Sequence, residues 1–130
     1  MARLDAIGIV VADLAATLGF YRLLGLDIPP EHDSDGHVEA VLKGGIRLMF
    51  DTEEVVASFD DGFKPSDPPG RINLAFVCND PASVDATYRA VIDAGHRSHK
   101  EPFDAFWGQR YAIVLDPDGN HIDLFAPLGT

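Results

Sequence analysis

The sequence predicts an α+β fold of two tandem β-α-β-β-β modules whose curved sheets form a cup, and three observations carry that prediction. A strand-like segment ending in Asp runs into a helix-periodic segment carrying Tyr, and this happens twice in one register: Asp13 and Asp80 are 67 positions apart, as are Tyr21 and Tyr88. Both helical segments stop at a glycine, Gly25 and Gly95. Each copy closes on two apolar segments around a glycine turn. A repeat of about half the chain implies a duplicated unit, because one copy is too small to bury its own apolar face.

In chain order, residues 4–11 form a buried apolar strand, and Asp13 is placed to accept from the free amides of the helix that follows. Leu14, Leu18, Tyr21 and Leu24 fall at helical spacing, and Gly25 supplies the left-handed residue that ends the helix. Residues 38–42 and 46–50 flank Lys43, Gly44 and Gly45 as a hairpin. Residues 53–70, with Asp60, Asp61 and Gly62 followed by Pro65, Pro68, Pro69 and Gly70, are expected to be an exposed connection without helix or strand. Phe59 and Phe63 within it have no obvious reason to face water.

The second copy repeats the order. Residues 72–78 form a strand, Asp80 caps, and Pro81 sits in the first helical turn, where its missing amide hydrogen costs nothing. Val84, Tyr88, Val91 and Ile92 make the apolar stripe. Residues 110–115 and 121–125 flank a turn of Asp116, Pro117, Asp118, Gly119 and Asn120. The chain thus reads as one domain over residues 1–130, with module one at 1–52, an acidic, proline-rich connection at 53–70 and module two at 71–127.

Composition bounds the function. Lys+Arg 10 against Asp+Glu 21 gives a formal charge of −11, which repels nucleic acid and anionic membrane and leaves a small molecule as the expected partner. Asp5 stands where a signal peptide would be apolar, and no apolar run reaches the roughly 20 residues of a membrane span, so the cytoplasm is expected. Cys78, the one cysteine, lies in an apolar strand and reads as a buried, inert thiol. His32, His37, His96, His99 and His121 lack the paired spacing of a zinc motif and read as solvated loop residues. No Gly-x-Ser-x-Gly elbow or phosphate-loop pattern occurs.

Two features point to a ligand site. Phe103, Phe106, Trp107 and Tyr111 crowd around Gly108, with Arg110 as a neighbouring cation. Asp123 lies between Ile122 and Leu124, so strand alternation turns it away from them and into the cup.

The stretches LDAIGIVVADLAATLGFYRLLG (residues 4–25) and DPDGNHIDLFAP (residues 116–127) resemble the opening and closing patterns of the vicinal oxygen chelate superfamily, which includes glyoxalases, bleomycin resistance proteins and extradiol dioxygenases. That resemblance implies four metal ligands: a histidine early in each module's first strand and a glutamate in each module's last. Carried onto this chain, the histidine positions hold Ala6 and Asn73, the last glutamate position holds Asp123, and the first falls on Leu48, or on Met49 after a one-residue slip. Only Asp123 ligates a hard cation well, so the metal site reads as lost and no cofactor is expected.

The resemblance then implies a non-metal small-molecule binder of the drug-sequestering kind, taking an aromatic or cationic ligand on Phe50, Asn73, Phe106, Trp107, Arg110 and Asp123. The alternative is a metal-dependent, glyoxalase-like lyase or an extradiol dioxygenase with ligands from unexpected positions, and acid or base catalysis by Asp123 without a metal is a third possibility. The resemblance also implies a homodimer.

Overall fold

The computed structural model describes residues 1, 3–65 and 72–129. Its contacts divide the chain into two compact units, Met1–Ser66 and Asp67–Thr130. In order they contain β1 (Ala6–Val11), α1 (Leu14–Leu23), a 3-10 turn (Pro30–His32), β2 (His37–Val41), β3 (Arg47–Thr52) and α2 (Glu53–Phe59), then β4 (Leu74–Val77), α3 (Pro81–Asp93), β5 (Arg97–Ala105), β6 (Gln109–Leu115) and β7 (His121–Pro127). The class is α+β. No helix among the described residues is long and apolar enough to cross a membrane.

The first unit is a three-stranded sheet in the order β1-β3-β2, with β1 parallel and β2 antiparallel to β3. One face is closed by α1, whose Tyr21 ring lies 5.2 Å from that of Phe50, and both residues are fully buried. The helix starts where expected, with Asp13 Oδ1 accepting from the Ala16 amide at 3.1 Å, and ends at Gly25 with φ +100°. Between α1 and β2 the chain makes no strand. Arg22 instead donates to the carbonyl oxygens of Ile28 and Pro29 and pairs with Asp33 at 2.6 Å, holding that segment as a loop.

The connection at 53–70 departs from expectation in its first seven residues, which form α2. Thr52, the last residue of β3, caps it by accepting from the Val55 amide at 3.2 Å, while Glu53 and Glu54 favour its positive end. The helix rests on β1 and β3 through Val56. Gly36 makes room for it, since a Cβ there would meet Val55 Cγ2 at 2.6 Å. Phe59 faces water after all, at 74% exposure, and Phe63 is half-buried. Pro68, Pro69 and Gly70 lie outside the described residues.

The second unit holds a four-stranded sheet in the order β4-β7-β6-β5. Its α3 packs Val84, Tyr88 and Val91 onto Ala112, Val114, Ile122, Leu124 and Ala126, all buried. Asp80 accepts from Ser83 through both its amide and its hydroxyl at 2.8 Å, which caps α3. The turn into β7 is tied by Asp116, 1% exposed, which accepts from the Asp118 and Asn120 amides at 3.0 and 2.8 Å. Cys78 lies just past β4, half-buried, and burial pushes its thiol pKa up.

The uncovered face of the first sheet carries a chain of charges. His37 contacts Asp51 at 2.5 Å through Nδ1 and Glu39 at 2.6 Å through Nε2, and Arg47 joins Glu39 to Asp5. Hydrogen bonds to Glu39 and then Asp51 raise the His37 pKa above its ordinary 6.5. A group raised in the folded state contributes stability that is complete below the unfolded pKa and is lost as pH rises through the folded one. NMR titration is therefore expected to show His37 charging above pH 6.5, and His37→Gln to flatten the fall in stability across that interval. A His37 midpoint at or below 6.5 would contradict the clamp.

Candidate functional site

The second sheet has one helix and therefore one uncovered face. Because Ala112, Val114, Ile122 and Leu124 pack beneath α3, alternation sends Tyr111, Ile113, Asp123 and Phe125 to the other side. The register sets Tyr111 opposite Phe125, Ile113 opposite Asp123, Phe103 opposite Tyr111 and Ala75 opposite Asp123. Asp123 is thus held on a central strand with neighbours on both sides.

Asp123 is 7% exposed. One oxygen, Oδ2, accepts from the Tyr111 hydroxyl at 2.5 Å, and the other, Oδ1, is buried with no hydrogen-bond partner among the described residues. Burial and then the bond to Asp123 push the Tyr111 pKa up to about 12, so the phenol is a neutral donor at any ordinary pH. A buried acceptor left open costs free energy, and a donor brought by a ligand recovers it.

Beside this pair stands an aromatic wall. Trp107 lies edge-on to Tyr111 at 5.3 Å, to Phe103 at 6.2 Å and to Phe106 at 5.0 Å, and Tyr111 stacks with Phe125 at 6.4 Å. Trp107 Nε1 donates to Gln109 Oε1 at 2.8 Å, which fixes the indole while leaving it 49% exposed. Phe106 and Trp107 form the tip of the β5-β6 hairpin, turned by Gly108 at φ +89°.

The expected site residues do not all meet here. Trp107 and Asp123 share this face, and Asn73 lies one residue before β4, exposed and in phase with Ala75. Phe106 stands at the tip, 97% exposed, with its ring edge-on to Trp107. Phe50 belongs to the core of the first unit, because its strand phase puts it under α1. Arg110 lies on the helix side, where its Nε and Nη2 donate to Asp85 of α3 at 2.9 and 3.0 Å and its Nη1 donates to Asp104 at 3.1 Å. There it borders a separate groove of about 480 Å³ with Tyr88, Arg89 and Glu101.

Sequence reading missed the Tyr111 to Asp123 bond. The turn contained the signal, since closing Asp116 against Asn120 fixes Ile113 opposite Asp123 and makes Tyr111 its diagonal neighbour. It also missed that the His99 and His121 rings meet at 4.2 Å, and that His32 contacts Asp35 at 2.9 Å.

The register also resolves the one-residue slip in the metal comparison. Gly8 pairs with Met49 on the uncovered face of the first sheet as Ala75 pairs with Asp123 in the second, so Met49 holds the glutamate position and Leu48 packs under α1. At these positions the first unit offers a methyl and a thioether, and the second an amide and a carboxylate already bonded to Tyr111, and neither pair suits a hard divalent ion. Among the described residues, no three His, Cys, Asp or Glu side chains are grouped to hold a metal.

The second unit thus gathers a buried carboxylate and a group of aromatic rings on the face of its sheet that α3 leaves uncovered. The model of the glyoxalase/bleomycin resistance protein/dioxygenase superfamily matches residues 3–124, and the chain belongs to that superfamily. Among solved structures it is similar to a glyoxalase/bleomycin resistance protein/dioxygenase family enzyme from Burkholderia phytofirmans PsJN, at 22% identity and TM-score 0.79, covering 98% of this chain and 100% of that one. A glyoxalase-related enzyme from Fulvimarina pelagi has 19% identity and TM-score 0.79, covering 97% and 88%. A superfamily member from Sphaerobacter thermophilus DSM 20745 has 25% identity and TM-score 0.64, covering 97% and 98%. No curated protein sequence matches the chain.

The tyrosine pair is open to direct measurement. Of the three tyrosines, the one whose ultraviolet phenolate band is absent from Tyr111→Phe is expected to titrate at about 12. Asp123→Asn should move that midpoint toward 10, and an unchanged midpoint would mean that Asp123 does not hold the phenol proton.

Proposed function

We propose that the protein is a small-molecule binder that works without a metal and takes an aromatic or cationic ligand on the open face of the second sheet. The buried carboxylate of Asp123, with one oxygen unpartnered beside the Trp107, Tyr111 and Phe125 rings, carries this reading. A protonated nitrogen satisfies that oxygen, and a planar ring packs on the exposed part of Trp107. Asn73 borders the same face, so it is proposed as a secondary polar contact.

The sole tryptophan reports on binding. A benzylic ammonium compound is expected to shift its fluorescence. Trp107→Ala should weaken that compound by about 0.5–1.5 kcal/mol beyond lost area, measured by calorimetry. Asp123→Asn should weaken the cation more than a neutral ligand of the same shape, because only the cation loses a Coulomb partner. Equal losses for both would make Asp123 a structural residue.

We also propose a cytoplasmic homodimer, supported by the family resemblance and by edge strand β4, flanked by Ile72 and carrying Val77 at 79% and 67% exposure. Sedimentation at micromolar concentration is expected to give a dimer, with or without reductant. Elemental analysis of the same dialysed sample should find far less than one divalent metal per chain. A full equivalent of zinc, nickel, manganese or iron would instead support the lyase or dioxygenase alternative.

A further inference from the structure

The open face of the second sheet changes character from one end to the other. Past Asp123, away from Trp107, the next residue of β7 in phase is His121, which lies opposite Leu115, and Leu115 in turn lies opposite Arg97 of β5. The His99 ring packs on His121 at 4.2 Å, which brings the β5 bulge to the same face. This end therefore presents two imidazoles and a guanidinium. Arg97 has no carboxylate partner among the described residues, although the chain carries 21 acids against 10 Lys and Arg. Tyr88 donates to Ser98, which holds the neighbouring residue on the helix side and Arg97 and His99 off it.

In a chain of net charge −11, this end sets a guanidinium and two imidazoles, all hydrogen-bond donors to an anion, on one face. It faces the side that holds the open carboxylate oxygen of Asp123. Two residues along a strand separate His121 from Asp123 by roughly 7 Å. A single small ligand spans that distance.

We propose that the ligand is a linear zwitterion, with an aromatic ring on the Trp107 wall, a protonated nitrogen at Asp123 and a carboxylate at Arg97 and His121, in that order. The inference rests on the proposed function and adds the third group and its position. The arginine fork and the imidazole N–H both donate to a carboxylate, and together they orient it better than either does alone.

N-benzyl-β-alanine has the three groups in this order, and N-benzylpropylamine has the same length without the carboxylate. Calorimetry at low salt is expected to show the zwitterion binding at least five-fold tighter, although the protein's overall charge opposes an added anion. In the double variant Arg97→Ala/His121→Ala the two compounds should bind alike, with the amine as tight as to the unaltered protein. If the amine binds, is weakened by Asp123→Asn and gains nothing from the carboxylate, the zwitterion proposal is overturned while the proposed function stands. If neither compound binds or shifts Trp107 fluorescence, the proposed function fails and takes this inference with it.

Discussion

Each sheet of this protein is covered by helix on one side only, and the chemistry follows from that constraint. In a pleated strand the side chain direction reverses at every residue, so once α3 claims Ala112, Val114, Ile122 and Leu124 the intervening positions have no choice of face. Tyr111, Ile113, Asp123 and Phe125 are turned outward together. A shift of one residue in β7 would bury Asp123 under α3 and expose Ile122 and Leu124. The apolar stripe of α3 thereby selects which residues form the site, even though it touches none of them.

The same rule acts on both units and gives different results. In the first, the charged outward residues of β2 and β3 are His37, Glu39, Arg47 and Asp51, which are joined by short contacts. That face has spent its charges internally. In the second, the outward residues include a carboxylate with one open oxygen, four ring systems and, at one end, Arg97 and His121. Both units pair their first strand in parallel with their last, and their uncovered faces differ.

The backbone plan was largely legible because it rests on local signals. Asp13 and Asp80 cap the helices they were assigned to, and Gly25 and Gly95 adopt positive φ after them. Helix α2 was not legible, because its capping Thr52 also ends a strand and the segment's prolines dominate its composition. The site was half legible. Alternation around Asp123 read correctly, since Ile122 and Leu124 are unambiguous core residues. The position of Arg110 on the α3 side was not legible, because its partner Asp85 is 25 residues away on α3 and invisible to local reasoning. The place of Phe50 was hidden, because residue type alone does not give strand phase. Phe50 in fact has the phase of Leu124, since both pack under their helices.

The acidic balance of the chain and the single carboxylate at the site make different electrostatic contributions. A net charge of −11 attracts cations at long range, but ions in solution screen that attraction over roughly 8–10 Å. The charge therefore affects encounter rate more than the bound state. Asp123 acts at contact, in a setting where solvent reaches only 7% of the residue, so salt weakens it far less. Tyr111 sharpens the difference by occupying Oδ2 and leaving Oδ1 as the one direction from which a donor can be accepted. Under the proposed function, discrimination depends on where a ligand carries its proton-bearing nitrogen relative to its ring, and net positive charge without that placement gains little.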